Sequence, residues 1–168
     1  HHFAAYGFWA PAVGNYVQHR IMERMGDPRL AEVYALIDPY YYRHRLTMPK
    51  FIVNAAGDQF FLPDSSQFYW DDLYEPKLLR YVPNGDHGLD KTDAGESIIA
   101  FYSLLLQGKK PPQISWTESA DGTIRAMTKD QPSEVRLWQA TNPEARDFRV
   151  ETLGRKYSSS VIYPNENG

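Results

Sequence analysis

The sequence predicts an α/β fold, in which parallel strands are covered by helices and followed by a small β-sandwich-like segment. Residues 50–108 alternate short apolar runs with amphipathic helical stretches, which is the pattern of βαβ units around a parallel sheet. The apolar runs are nearly continuous, as expected of strands that are covered on both faces. Beyond "KKPP" at 109–112, four short strand-like runs are separated by turn residues.

Two helices are predicted ahead of the first strand, as a helical excursion over residues 12–38. In "APAVGNYVQHRIMERMG", apolar residues recur at helical spacing and Gly26 ends the pattern. In "DPRLAEVYALIDP", we expect Asp27 to be the N-cap and Pro28 to occupy the first helical position.

Strands and helices then alternate along the chain. We predict a strand over residues 51–55 and another over residues 78–82, with a helix between them that Asp64 caps. The second strand runs into the turn "VPNGDHGLD", and the amphipathic stretch "TDAGESIIAFYSLLLQGKK" predicts a helix with Asp93 as its cap. The four later strands are predicted in "QISWTES", "GTIRAMTK", "EVRLWQAT" and "SSSVIYP".

Composition excludes several classes of function. The 168 residues carry a net charge of −3 and no extended Lys/Arg cluster, which argues against nucleic acid as a partner. The chain has no cysteine, so disulfides, thiolate chemistry and cysteine-based zinc sites are excluded. Its apolar runs are too short to span a membrane, and we expect no cofactor.

Asp58 and His87 are the candidate catalytic residues. Each follows one of the two predicted parallel strands, where open α/β sheets bind their ligands. A carboxylate bonded to one imidazole nitrogen fixes the tautomer and leaves the other nitrogen free to act as a base. The order of an acid, a histidine and a closing helix also matches the α/β-hydrolase layout of nucleophile, acid and histidine.

Other roles for these side chains stay open. Asp58 would serve only as a turn cap if His87 bonded to a backbone carbonyl instead. Asp86 and Asp90 flank His87 and are alternative partners for it, although local Asx turns suit them better. A metal site built from Asp58, Asp86 and His87 is a further alternative, but these residues supply only half of a usual ligand cluster.

No nucleophile can be assigned. The chain contains no G-x-S-x-G elbow. Ser65, Ser66 and Ser97 fall in the first turns of predicted helices and lack the preceding strand that an elbow needs.

Several long phrases resemble one protein family. "GDQFFLPDSS", "YVPNGDHGL" and "LWQATNPEARDFR" resemble the PhoPQ-activated pathogenicity-related proteins, which are α/β-hydrolase-like proteins of bacteria with relatives in some amoebae. The resemblance covers essentially the whole chain. It implies Asp58 as the triad acid and His87 as the triad base, with the serine on a "GASKRGW"-type elbow upstream of this chain.

On this resemblance, the chain is expected to be the C-terminal portion of a serine hydrolase of esterase or peptidase type. Residues 1–110 would be the C-terminal half of the hydrolase domain, and residues 113–168 a truncated immunoglobulin- or fibronectin-like segment. The missing N-terminal half of the protein would be its partner, and a small ester, an amide or a peptide its substrate. Family members commonly carry export signals, so we expect a periplasmic or secreted protein.

The alternative is a non-catalytic exported factor. It would use the same fold to bind a protein or a glycan, with the aromatic side chains of Trp9, Phe60, Phe61 and Trp70 at the contact surface.

Overall fold

The computed structural model describes residues 2–164, which form short helices and two-stranded sheets. The helices are α1 His2–Tyr6, α2 Gly14–Gln18, α3 Pro28–Ile37, α4 Ala94–Leu106 and α5 Val150–Leu153. The strands are β1 Lys50–Ala55, β2 Lys77–Val82, β3 Ile114–Glu118, β4 Ile124–Thr128, β5 Val135–Gln139 and β6 Ser158–Ile162. No helix within this range has the length and apolar character needed to cross a bilayer.

These residues form two compact units. The first contains the residues up to Ala94 together with Ala140–Lys156. The second contains Gly95–Gln139 together with the described residues from Tyr157 onward. The division at residues 110–113 that the sequence suggests stays a prediction.

Strands β1 and β2 form the parallel pair that the sequence predicts. Lys50 lies opposite Lys77, and Ala55 lies opposite Val82, so both strands end at the same edge. Residues 56–76 form the long connection that parallel strands require, and they contain a 3₁₀ turn at Pro63–Phe68.

The predicted α/β-hydrolase sheet is wrong. β1 and β2 pair only with each other among residues 2–164, whereas the predicted fold needs an extended parallel sheet. The residues of both strands are mostly half-buried, so apolar runs of this kind do not require a many-stranded sheet around them. No other parallel strand within the described residues extends the pair.

The predicted β-sandwich is wrong as well. All four later strands form, but β3 pairs with β4, and β5 with β6, in separate antiparallel two-stranded sheets. A sandwich buries alternate residues between its two sheets. Nearly every residue of these four strands is exposed, so the described part of the chain has no sandwich core.

The helical excursion before β1 is only partly as predicted. α3 begins at Pro28, and the Asp27 carboxylate accepts a hydrogen bond from the Arg29 backbone N–H at 2.9 Å, which confirms the cap. The helix predicted before it is instead broken into short pieces. Arg20 has φ 56°, a left-handed conformation that cannot continue a right-handed helix.

Two predicted caps are replaced by other contacts. Leu62, and not Asp64, is the residue that precedes the 3₁₀ turn, and the Asp64 carboxylate pairs with Arg146. At the start of α4, the Thr92 hydroxyl accepts a hydrogen bond from the Ala94 N–H at 3.3 Å. The Asp93 carboxylate accepts one from the Arg80 guanidinium at 2.5 Å.

Candidate functional site

The loops that follow β1 and β2 are held together by their backbones. The Ala56 N–H donates to the Val82 carbonyl at 2.9 Å, and the Gly57 N–H donates to the Gly85 carbonyl at 3.0 Å. These bonds extend the pairing of the strands beyond their ends. The first residue past this extension on one loop is Asp58, and the turn on the other loop carries His87.

Asp58 is a buried carboxylate whose two oxygens have different partners. Its Oδ2 lies 3.1 Å from the His87 Nδ1. Its Oδ1 accepts hydrogen bonds from the backbone N–H groups of Phe60 at 2.6 Å and Phe61 at 3.0 Å. Asp58 therefore closes an Asx turn with one oxygen and orients the imidazole with the other, so the capping role and the pairing role coexist.

The His87 ring is fixed on one side and open on the other. Its centroid lies 4.7 Å from that of the Phe60 ring and 5.3 Å from that of the Phe61 ring. The His87 backbone N–H donates to the Gln59 side-chain oxygen at 3.2 Å. The His87 side chain is 42% exposed, and its Nε2 forms no hydrogen bond with any residue in the range 2–164.

The hydrogen bond at Nδ1 selects one tautomer. When the carboxylate is ionised it can only accept, and Nδ1 then carries the proton and donates it in the hydrogen bond to Asp58. The Nε2 atom of the neutral ring then holds a lone pair. This arrangement suits a general base and, after protonation, a general acid.

A cleft of about 150 Å³ lies beside the pair. Its wall combines apolar side chains with the carboxylate and the imidazole. The lining residues are Val53, Asn54, Ala55, Asp58, Phe61, Leu62, Pro63, His87 and Leu89. Among these described residues no side chain carries a hydroxyl or a thiol, so the cleft supplies a base but no serine, threonine or cysteine nucleophile.

The other candidates from the sequence lie elsewhere or act locally. The Ser66 side chain is buried, and its Oγ lies 2.6 Å from the Tyr81 hydroxyl. Asp86 accepts the Gly88 N–H at 3.2 Å, which is the Asx turn that the sequence predicts. Within residues 2–164, no group of three or more acidic or histidine side chains is arranged to hold a metal ion.

Sequence reasoning missed the contribution of residues 146–155. The Arg149 guanidinium donates to both carboxylate oxygens of Asp147, at 2.8 and 2.6 Å, and to Glu151 at 2.7 Å. The hydrogen bonds that Arg149 donates to Asp147 hold the pKa of that carboxyl below its usual range. The run "EARDFRVETLGRK" alternates acidic and basic residues, and this was the signal that could have indicated a network of ion pairs.

The Asp147→Asn substitution should lower the free energy of unfolding by about 2 kcal/mol at neutral pH, because Arg149 would lose a charged double acceptor. The pKa of Asp147 is lower in the folded state than in the unfolded state, where it is about 3.9. The stabilisation is therefore complete above that pH and is lost as the pH falls through the folded-state pKa. Urea unfolding of both proteins between about pH 7 and pH 3 would measure this.

The matched control is Glu134→Gln, which removes the exposed ion pair with Arg136. We expect it to have no measurable effect at either pH. An Asp147→Asn effect that is equally large at pH 7 and pH 3 would contradict the assignment of the stabilisation to the ionised pair.

Comparison with known proteins identifies relatives over most of the chain. The family model of the PhoPQ-activated pathogenicity-related proteins matches residues 1–149. Autocrine proliferation repressor protein A of Dictyostelium discoideum is 37% identical over 166 residues, which is 90% of this chain and 34% of that protein. The chain thus spans about a third of the length of this curated relative. No solved structure shows a significant match.

The family assignment agrees with the resemblance found in the sequence. The family model covers most of the chain, including both loops of the candidate site and the Asp147–Arg149 pair. The chain therefore belongs to the PhoPQ-activated pathogenicity-related protein family.

Proposed function

We propose that this chain supplies the acid and the base of a serine hydrolase that acts on ester, amide or peptide bonds. The observation that carries the proposal is the 3.1 Å contact between the Asp58 Oδ2 and the His87 Nδ1, with Nε2 left open beside the cleft. This is the orienting half of a nucleophilic triad. The serine would come from a part of the polypeptide outside this chain.

The chemistry assigns each atom of the pair a step. His87 Nε2 takes the proton of the serine hydroxyl as its oxygen attacks the substrate carbonyl carbon. The Asp58 carboxylate stabilises the resulting imidazolium through Nδ1. Nε2 then gives the proton to the leaving alcohol or amine, and a water molecule activated in the same way releases the acid and restores the serine.

The proposal stands on the site and does not depend on a hydrolase sheet. Pairs of carboxylate and imidazole with a nucleophile recur on unrelated folds, so function has to be argued from the side chains themselves. The chain spans about a third of its curated relative, and we assign the nucleophile to the remaining part of such a longer protein.

A fluorophosphonate probe tests this proposal on the longest polypeptide that contains the chain. We expect a single labelled serine, located by peptide mass spectrometry, and no labelling after denaturation. The absence of a serine adduct in the folded polypeptide would count against a serine hydrolase.

The second candidate is a non-catalytic exported signalling factor. Two observations favour it: the relative is named for autocrine repression of proliferation, and no described residue that lines the cleft carries a hydroxyl or a thiol to act as the nucleophile. Export to the periplasm or the medium would suit this role, and cell fractionation would test it. A secreted polypeptide whose effect on proliferation survives His87→Ala would favour signalling over hydrolysis.

A further inference from the structure

Residues 146–155 contact both loops that carry the candidate pair. Arg146 pairs with Asp64 on the connection after β1. The Val150 N–H donates to the carbonyl of Gly57, the residue before Asp58, at 3.0 Å. One short stretch of chain therefore touches the acid loop through a side chain and through its backbone.

Arg155 makes the corresponding contacts with the loop of His87. Its guanidinium donates to the Asn84 carbonyl, and its Nη2 lies 3.9 Å from the Asp86 Oδ2. Asn84 has φ 58°, a left-handed backbone conformation. A residue other than glycine keeps this conformation only where neighbouring contacts hold it. Arg155 thus contacts the turn at two of the three residues that precede His87.

The segment is itself anchored, so it can act as a support. The Arg149 side chain is only 10% exposed and is bonded to Asp147 and Glu151. Its guanidinium carbon also lies 4.8 Å from the centroid of the Tyr6 ring. Side chains held by several partners lose little further entropy when they position a neighbour.

We propose that Arg155 is a positioning residue for His87. By binding the Asn84 carbonyl and approaching Asp86, it holds the turn so that the His87 Nδ1 stays within hydrogen-bond distance of Asp58. The His87 side chain is 42% exposed, so burial alone does not fix the orientation of its ring. The orientation also depends on where the turn places the residue. The effect on catalysis rests on the proposed function, whereas the effect on the tautomer does not.

The test is ¹⁵N NMR of the histidine side chains in the 168-residue chain, with the His87 signals assigned by their loss in His87→Ala. The wild type should show the Nδ1–H tautomer for the neutral ring, because that proton is shared with Asp58. In Arg155→Gln, we expect the His87 signals to move to a mixture of tautomers while the midpoint of thermal unfolding changes by only a few degrees.

Arg136→Gln is the matched control, because Arg136 is 47% exposed and Arg155 is 43% exposed, and each lies next to a carboxylate. Three results would each overturn the proposal: an unchanged tautomer in Arg155→Gln, an equal change in Arg136→Gln, or a change that appears only as the chain unfolds. Should Arg155→Gln not fold, Arg155→Lys decides, since lysine keeps the charge but lacks the fork. Partial loss of the Nδ1–H tautomer supports the proposal, and an unchanged signal overturns it.

Kinetics then separates this inference from the proposed function. In a longer polypeptide that reacts with the probe, Arg155→Gln should lower kcat between about ten- and a hundredfold with little change in KM. A tautomer change without any serine adduct in the wild type would leave the positioning role standing and remove the hydrolase. A serine adduct in the wild type, together with an unchanged kcat and an unchanged tautomer in Arg155→Gln, would leave the hydrolase standing and remove the positioning role.

Discussion

Replacing His87 with alanine should reduce hydrolysis by at least about a thousandfold in the polypeptide that carries the probe-reactive serine. The substitution removes the Nε2 lone pair that would accept the serine proton, and it leaves the Asp58 Oδ2 without its imidazole partner. Initial rates with an activated ester, together with the rate of fluorophosphonate labelling, would measure the loss. Both rates should fall together, because both depend on the same nucleophilic attack.

The matched control is His44→Ala. His44 is also exposed, and it lies outside the lining of the cleft. We expect its replacement to leave both rates within about twofold of the wild type. Equal losses in the two variants, or a labelling rate that His87→Ala does not change, would remove His87 from the mechanism.

The second large effect is expected at Gly57. A Cβ at this position would lie 2.6 Å from the Val150 Cγ2, 3.0 Å from the Gly85 carbonyl oxygen and 3.1 Å from the Phe148 carbonyl oxygen. The Val150 side chain can rotate away from the added Cβ. The two carbonyls belong to the backbone and can move away only if the neighbouring chain segments shift. Gly57→Ala should therefore lower the free energy of unfolding by about 1–3 kcal/mol, measured by urea unfolding.

Gly14→Ala is the control for the change of residue type. Gly14 has helical backbone angles and nothing within 4 Å of an added Cβ, so alanine should be neutral or slightly stabilising there. The double variant Gly57→Ala, Val150→Ala should recover only part of the loss, because the contacts with the two carbonyls persist. Complete recovery would show that the backbones do not crowd this site.

The candidate site could be anticipated because it depends on local rules. Neighbouring parallel strands have their carboxyl ends at the same edge of the sheet. The loops that follow β1 and β2 therefore lie side by side, and the Asp58 Oδ2 is 3.1 Å from the His87 Nδ1. The cap at Asp27 is equally local, since a short carboxylate beside a first-turn proline satisfies a nearby backbone N–H. Such features need only a few neighbouring residues to be understood.

The size of the sheets could not be anticipated in the same way. Apolar strands indicate that a face is suited to burial, but they do not say what covers it or how many strands join. Residues alternate between apolar and polar in part of β5, a pattern that favours one sheet of a sandwich, yet Leu137 is exposed and so is Trp138 on the opposite face. The contact of Arg155 with Asn84 could not be predicted from the sequence either, because the two residues lie far apart along the chain.

The first unit is assembled from two separate stretches of the chain, and this has a consequence during synthesis on the ribosome. Asp58 and His87 are translated before the residues that bind Gly57 and the turn of His87, because those residues lie in Ala140–Lys156. A nascent chain that has not yet reached Lys156 contains both candidate residues without all of the residues that contact their loops. Completion of the candidate site is thereby delayed until all of the intervening residues have been translated.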